Sequence, residues 1–260
     1  MNFDDLRRLR HRKHREELRH FLAEGEHLVI ELGKAVARRP ELAAARILAT
    51  HEYLAAGLPD AFPVDLPIEP VSGRQMDQLR ETRSPQGVVA VVPMLAPLPP
   101  SATERVIYLH EAQDPGNLGT ILRTLAWFGG FRCLLSPDSV DPYNAKAVRA
   151  SMGAIFNVPF ETEVPFVALQ ERYPRIALLD TRGTPIADEA FANFDCHVFG
   201  SESQGAPAQV AATLKNSTFC IPGGHGVESL NLASTVNICA YELAVRSSSS
   251  RSQKPSSERR

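Results

Sequence analysis

The sequence predicts an α/β protein with a mainly parallel sheet in its second part and a smaller α/β domain before it. Beyond residue 100, short apolar segments recur without the polar and apolar alternation of half-exposed strands, and segments with helical periodicity separate them. Continuous apolar strands joined through helices indicate a parallel sheet that is covered on both faces. Ligands of such sheets bind beyond the carboxyl ends of the strands.

The first 95 residues mix helical and strand patterns. They predict a basic helix, an apolar helix and two strands, at 7–19, 26–36, 46–50 and 87–92. A proline-rich segment, 93–101, follows. Proline cannot donate to a sheet ladder and restricts the residue before it, so this segment is interpreted as a linker. We therefore predict one domain over 1–95 and a second over 96–246.

In the second domain the predicted strands and helices alternate. The strands are expected at 106–110, 131–135, 176–179, 197–199 and 218–221, and the helices at 118–128, 144–151, 166–172 and 230–246. The remaining residues, 247–260, are only Ser, Arg, Lys, Gln, Glu and Pro, a composition typical of a disordered tail.

The composition is that of an ordinary globular protein, with 260 residues, 43% hydrophobic residues and a net charge of −2. Asp4, Asp5 and several arginines interrupt the first apolar residues, and no segment of about eighteen apolar residues occurs, so we expect a cytoplasmic protein without a membrane partner. The four cysteines lack the spacing of metal ligands, and we expect buried free thiols and no metal.

The segment from Arg7 to Arg19 is strongly basic. Local positive charge of this density suits contact with the phosphates of a nucleic acid. A solvated helix face, on which Glu16 and Glu17 pair with nearby arginines, explains the pattern equally well.

The first of three motifs runs from Asp114 to Arg123 and opens the predicted helix. Asn117 stands where an N-cap is expected, so its carboxamide either caps the helix or binds a ligand. Arg123 lies near the helix start, where a fixed guanidinium is suited to holding a phosphate with two hydrogen bonds.

The second motif, 199–205, follows a strand. Gly200 and Gly205 allow the backbone to approach a ligand closely, and Glu202 either binds a ligand or stabilises a helix N-terminus. A hydrolase nucleophile at Ser203 is excluded, because the first required glycine is Ser201 and no acid follows before His225.

The third motif, 221–231, leads from a strand through glycines to a helix, with Ser229 at the expected N-cap. A phosphate-binding P-loop needs Lys-Ser or Lys-Thr after the last glycine, and Val227-Glu228 stands there instead. No Gly-x-Gly-x-x-Gly occurs, which counts against a Rossmann-type cofactor site.

Together the three motifs resemble those of the SpoU/TrmH branch of the SPOUT RNA methyltransferases. Residues 141–154 look like the intermediate segment of that family, and 9–29 look like the opening of its RNA-binding domain, which is similar to ribosomal protein L30e. The resemblance implies transfer of a methyl group from S-adenosyl-L-methionine to a ribose 2'-hydroxyl in structured RNA, either rRNA or tRNA.

The resemblance also implies a trefoil knot in the parallel sheet and a homodimer in which the helix after Ser229 packs against a second copy. The implied residues fall into two groups. The catalytic set is Asn117, Arg123, Glu202, Ser229 and Asn231, and the cofactor-binding set is Gly200, Gly205, Ile221 and Leu230. The chain departs from the family pattern at Gly223, where the family often has Met.

Two alternative functions remain open from the sequence: a non-catalytic RNA-binding protein that keeps the fold, and a methyltransferase directed at a base. The intact catalytic set favours an enzyme, and Ser229-Leu230-Asn231 favours ribose. A guanidinium with a pKa above about 12 is a poor base. We therefore expect Arg123 to hold the neighbouring phosphate and to stabilise the developing alkoxide.

Overall fold

A computed structural model of the chain describes residues 1–81, 86–224 and 226–252. The chain divides into two compact units. Unit 1 comprises 1–98, 118–123 and 141–157, and unit 2 comprises 99–117, 124–140 and the residues from 158 onward. No helix in the described ranges is long and apolar enough to cross a membrane.

The described residues form ten α-helices and ten β-strands. The helices are α1 (Phe3–Arg8), α2 (Arg12–Leu18), α3 (Glu26–Val36), α4 (His51–Ala55), α5 (Gly73–Leu79), α6 (Pro115–Phe128), α7 (Ala145–Ala150), α8 (Phe166–Arg172), α9 (Ala208–Thr213) and α10 (Leu232–Ser252). The strands are β1 (His20–Glu24), β2 (Arg46–Thr50), β3 (Ile68–Val71), β4 (Val88–Pro93), β5 (Arg105–Leu109), β6 (Phe131–Leu135), β7 (Phe160–Glu161), β8 (Ile176–Pro185), β9 (Cys196–Phe199) and β10 (Thr218–Cys220).

Unit 1 contains a four-stranded sheet in the order β1-β4-β2-β3. The β4 strand pairs antiparallel with both β1 and β2, and β2 pairs parallel with β3. Because β4 is central, its residues from Val88 to Val92 are all buried. The α3 helix contributes Leu28, Val29, Leu32 and Ala35 to the core, the spacing of one helix face.

The basic segment of unit 1 forms two short helices rather than one. Arg15 of α2 is only 4% exposed, and its Nε donates to Asp141 Oδ2 at 2.9 Å. Its Nη1 donates to the carbonyls of Leu9 and Arg10 at 2.8 Å each. Arg15 is therefore a buried structural residue. The interpretation of the basic segment as a phosphate-binding surface does not apply to it.

The other cations of this segment differ in their partners. Arg12 pairs with Glu16 at 2.7 Å, as the solvated-face interpretation predicts. Arg8, Lys13 and Arg19 are exposed, and their side chains form no ion pair with the residues that the structure describes. These three keep their charge available to solvent.

The α7 helix of unit 1 packs closely on α6. A Cβ at Gly119 would lie 2.5 Å from both the carbonyl oxygen of Ala147 and the Cβ of Ala150. Such distances are below any real contact, so only glycine fits at this point of the first motif. The glycine thus has a packing role on the helix that carries Arg123.

Unit 2 contains a six-stranded sheet in the order β10-β8-β9-β5-β6-β7, and every neighbouring pair is parallel. The predicted parallel sheet is confirmed. Leu109 lies opposite both Leu135 and Phe199, so β5, β6 and β9 end at the same level. The residues that follow these three strands therefore share one edge of the sheet.

The α10 helix closes the described part of the chain. Leu232, Val236, Cys239 and Leu243 are buried, and their spacing is that of one helix face. The helix continues to Ser252, past the predicted domain end at 246, so the backbone of 247–252 is helical where a disordered tail was expected. The rest of that tail, 253–260, lies outside the described residues.

Candidate active site

The first motif begins with a capped helix. The Oδ1 of Asp114 accepts a hydrogen bond from the backbone N–H of Asn117 at 2.8 Å, and Pro115 occupies the first turn. Asp114 is thus the N-cap of α6, so of the two roles left open for Asn117 the capping role is excluded. The side chain of Asn117 is released for other contacts.

The carboxamide of Asn117 joins the three motifs. Its Nδ2 donates to Glu202 Oε1 at 3.1 Å, and its Oδ1 accepts from Asn231 Nδ2 at 3.0 Å. An ionised carboxylate is only an acceptor, so Asn117 must turn its NH₂ group toward Glu202. This orientation fixes Oδ1 toward Asn231. One side chain therefore connects the loops after β5 and β9 with the start of α10.

Glu202 lies at the tip of the loop between β9 and α9. Ser201 and Gly205 close this loop through two backbone hydrogen bonds of 2.9 and 3.0 Å. A Cβ at Gly200 would lie 2.2 Å from the carbonyl carbon of Gly205, so the loop can close only on glycine. Both Gly200 and Gly205 thus shape the loop that presents Glu202.

The second oxygen of Glu202 also has a partner. Its Oε2 accepts the backbone N–H of Gln113 at 3.2 Å. The carboxylate is therefore held by two neighbouring segments, the loop after β5 through Gln113 and the first turn of α6 through Asn117. Gln113 was not among the residues singled out from the sequence.

Asn231 is the N-cap of α10. Its Oδ1 accepts the backbone N–H of Ser234 at 3.3 Å, and its carbonyl accepts that of Thr235 at 2.9 Å. The prediction that Ser229 caps this helix is therefore wrong. Ser229 is exposed, and its side chain makes no hydrogen bond to the described part of the chain.

Three of the residues predicted to bind a cofactor have backbone groups available for hydrogen bonding. Gly200 follows β9, Ile221 follows β10, and Leu230 lies just before α10. Their N–H and C=O groups make no hydrogen bond to other described residues. Leu230 is 47% exposed and Ile221 is half-buried. The backbone groups of Gly205, in contrast, are used by Ser201.

Arg123 stands on α6 six residues after Asn117. Its side chain is exposed and forms no ion pair with the residues that the structure describes. Thr120, between the two, is also exposed. The guanidinium is therefore available to an external anion, as the sequence predicts for a phosphate ligand.

Comparison with known proteins places this arrangement in a family. Residues 104–241, more than half of the chain, match the SpoU rRNA Methylase family. The chain belongs to the SpoU rRNA methylase family. Residues 4–90 match the MRM3-like substrate binding domain. The identification made from the motifs is confirmed, and the protein is an RNA methyltransferase by family.

Two curated relatives extend this SpoU match. An uncharacterized tRNA/rRNA methyltransferase of Synechocystis sp. is 35% identical over 179 residues, which cover 66% of this chain and 65% of that protein. The 23S rRNA (guanosine(2553)-2'-O)-methyltransferase RlmP of Bacillus subtilis is 28% identical over 244 residues, 92% of this chain and 94% of that protein.

A solved structure is similar to this SpoU chain over nearly its whole length. The AdoMet-bound rRNA methyltransferase from Sinorhizobium meliloti is 25% identical, covers 94% of both chains and has a TM-score of 0.75. The predicted fold class, an α/β protein with a parallel SPOUT-type sheet, is confirmed.

Proposed function

We propose that this chain transfers a methyl group from S-adenosyl-L-methionine to a ribose 2'-hydroxyl in structured RNA, and that the RNA is ribosomal. The observation that carries the proposal is the Asn117 carboxamide, which joins Glu202 and Asn231 at 3.1 and 3.0 Å. Polar groups from three distant motifs meet there without filling a core. The Bacillus subtilis relative, a 23S rRNA 2'-O-methyltransferase, supports ribose in rRNA as the acceptor.

The cofactor would be held by backbone groups. Gly200, Ile221 and Leu230 follow strands or precede a helix, and their peptide groups are not used by other described residues. Free N–H and C=O groups of this kind fit the hydrogen-bonding edges of an adenine and an amino acid. When bound, the cofactor supplies an electrophilic methyl group on a positively charged sulfur.

The protein's contribution is to align and deprotonate the hydroxyl. A ribose hydroxyl is a weak nucleophile until its proton leaves. In our proposal Arg123 binds the neighbouring phosphate and stabilises the oxygen as negative charge develops, while phosphate or water takes the proton. Glu202, Asn117 and Asn231 form a hydrogen-bonded surface that orients the sugar, with Ser229 beside it as a free hydroxyl.

RNA selection is assigned to the first part of the chain, which matches a substrate-binding domain over 4–90. Arg8, Lys13 and Arg19 are its best candidates for phosphate contacts, because they are exposed and form no ion pair within the described part of the chain. Replacing any one of them with Gln should reduce the slope of log K for RNA binding against log salt concentration by about 0.7–0.9. Arg12→Gln, which removes a cation already paired with Glu16, is the matched control with a smaller effect.

A homodimer is the assembly that the surface of unit 2 favours. Ile238, Tyr241 and Val245 are exposed at helical spacing on α10, and Phe128 of α6 lies 6.1 Å from the Tyr241 ring. Trp127, next to Phe128, is 83% exposed. An apolar face of this kind suits a second copy of the chain.

Sedimentation velocity tests the dimer. Tyr241→Glu should give a monomer, whereas Val167→Glu, at an equally exposed residue of α8, should leave a dimer unchanged. A wild-type monomer at micromolar concentration would contradict the proposal. We also propose a trefoil knot, which rests on the family resemblance, and a cytoplasmic location, which rests on the sequence pattern.

One experiment tests the proposed reaction. The purified chain is incubated with methyl-labelled S-adenosylmethionine and total RNA from a host that lacks it, and the labelled nucleotide is mapped. We expect label in rRNA, at a ribose that resists alkaline cleavage. Label on a base would identify a base methyltransferase, and RNA binding without label would identify a non-catalytic RNA-binding protein.

The role of Arg123 needs a variant of its own. Arg123→Lys keeps the charge but loses the two-pronged geometry, so turnover should fall about a hundredfold. Arg182→Lys, at another exposed arginine, is the control that should keep wild-type turnover. Near-normal turnover in Arg123→Lys would contradict the proposed role of bidentate phosphate binding.

A further inference from the structure

Two loops of unit 2 are hydrogen-bonded together at the carboxyl edge of its sheet. The first follows β5 (residues 110–114), and the second follows β6 (136–140). The N–H of Glu111 donates to Ser136 Oγ at 2.7 Å, and that of Val140 donates to the carbonyl of Ala112 at 2.8 Å. The loop that leads to Asn117 is thus braced by the loop next to it.

Gln113 completes this bracing through its side chain. Its Nε2 donates to the carbonyl of Glu111 at 3.1 Å and to that of Asp138 at 2.9 Å. One primary amide has two N–H groups, so both of its donors are used. The same residue gives its backbone N–H to Glu202 at 3.2 Å.

The two carbonyls that Gln113 binds belong to strained residues. Glu111 has φ 47° and Asp138 has φ 64°, both in the left-handed region, and neither is glycine. Such a conformation is unfavourable for a residue with a Cβ, because the Cβ lies too close to the backbone. A loop with this backbone persists only where other contacts hold it, and the Gln113 amide holds both strained residues at once.

We infer that Gln113 is a positioning residue of the methyl transfer, acting through Glu202. Its side chain holds the strained turns at Glu111 and Asp138. These turns determine the position of the Gln113 backbone N–H, which donates to one oxygen of the Glu202 carboxylate. The other oxygen then stands at the correct place for Asn117. This inference rests on the proposed function, because it assigns a role within the same reaction.

The test compares two variants of Gln113 with a control. Gln113→Glu keeps the length of the side chain but turns a carboxylate toward two carbonyl oxygens, and Gln113→Met removes the donors without adding charge. Gln113 is exposed, so the protein should fold with either substitution. We expect the kcat of each to fall about tenfold or more, with the Kd for S-adenosylmethionine within about twofold of wild type.

Gln209→Met is the matched control. It makes the same exchange at an exposed glutamine of α9, outside these loops, so its kcat should stay within about twofold of wild type. Equal kcat values for wild type, Gln113→Met and Gln113→Glu would overturn the inference.

A double-mutant cycle with Glu202→Gln separates positioning from a general loss of structure. If Gln113 acts through Glu202, adding Gln113→Met to Glu202→Gln should change kcat by less than about threefold. Independent, multiplicative losses would overturn the inference. A wild-type chain that labels no RNA would instead remove the proposed function, so the two failures are distinguishable.

Discussion

Unit 2 places polar side chains in two regions that differ in burial. Arg132 and His197 lie within the sheet and are fully buried, whereas Gln113, Glu202 and Asn231 lie at its carboxyl edge and are exposed. The buried groups bind other parts of the chain, and the edge groups bind one another while keeping one side open to solvent. From this difference we expect substitutions of the buried polar groups to act on stability and substitutions of the exposed ones to act on the proposed reaction.

Arg132 shows how completely the buried region is paired. Its Nε donates to Glu104 at 2.6 Å, its Nη1 to Glu161 at 3.3 Å and its Nη2 to the carbonyl of Pro99 at 2.9 Å. Nothing of this guanidinium is left for a ligand. Arg123, by contrast, has the same side chain and no internal partner among the described residues.

The largest expected effect on stability comes from Arg132→Met. The substitution leaves the carboxylate of Glu104 without its cation in a largely buried place and removes one of the two arginines that pair with Glu161, which costs about 3–5 kcal/mol of the free energy of unfolding. Urea denaturation followed by circular dichroism measures this loss. Arg175→Met removes an arginine from the exposed pair with Asp195 and should barely move the midpoint. Equal shifts of the urea midpoint in Arg132→Met and Arg175→Met would contradict the expected difference between buried and exposed groups.

His197 gives a smaller effect that depends on pH. Burial lowers its pKa from 6.5 to about 4, and its Nε2 lies 3.0 Å from the carbonyl of Phe191. The unfolded chain binds a proton below pH 6.5 while the folded chain does not, so stability is lost as the pH falls from 6.5 to about 4. The full loss is about 3 kcal/mol.

A variant isolates this histidine from the other titrating groups. His197→Gln keeps an N–H donor for Phe191 and cannot titrate, so the difference between its unfolding free energy and that of wild type should change across this pH range. Parallel curves for the two proteins would show that His197 is not the group responsible.

The smallest expected effect on stability comes from the edge of the sheet. Asn117→Ala removes two side-chain hydrogen bonds in a partly exposed place, and the free energy of unfolding should change by no more than about 0.5 kcal/mol. Methyl transfer should nevertheless fall about tenfold or more, because Glu202 and Asn231 lose their common partner. If Asn117→Ala were much less stable but had normal turnover, the side chain would be structural, as expected only for the buried polar groups.

Much of the fold follows from local sequence patterns. The apolar residues of 131–135 and the helical spacing of 26–36 gave element bounds that agree with β6 and α3. The β1 strand was missed, because its buried residues alternate with His20 and Glu24 and the preceding segment is strongly helical in composition. Short half-exposed strands carry too little hydrophobic signal to compete with a neighbouring helix pattern.

The sequence singled out Asn117, Glu202 and Asn231, which the structure brings together, but it did not indicate how they are hydrogen-bonded. The cap of α10 was assigned to the wrong residue, Ser229 instead of Asn231, and capping of α6, one of two roles left open for Asn117, belongs to Asp114. Each motif holds several residues able to cap, and only the backbone path decides which oxygen meets the free N–H. The cap at Asp114 matters, because it leaves Asn117 free to join the motifs.

Contacts between residues far apart in the sequence could not be predicted. Arg15 is the same residue type as Arg12 three positions earlier, and only Asp141 makes it a buried residue. Gln113 likewise gains its role from the carbonyl of Asp138, which no pattern in the sequence connects to it. A single sequence shows which side chains are polar but not which distant groups they bind.

Trp127 has a practical consequence for spectroscopy. It is the only tryptophan of the chain, and its indole already lies in water at the end of α6. Its emission maximum should therefore be red-shifted in an isolated subunit and hardly change on denaturation. Any blue shift would report that another molecule has covered this end of the helix, so the fluorescence of the unlabelled protein is a built-in probe of association.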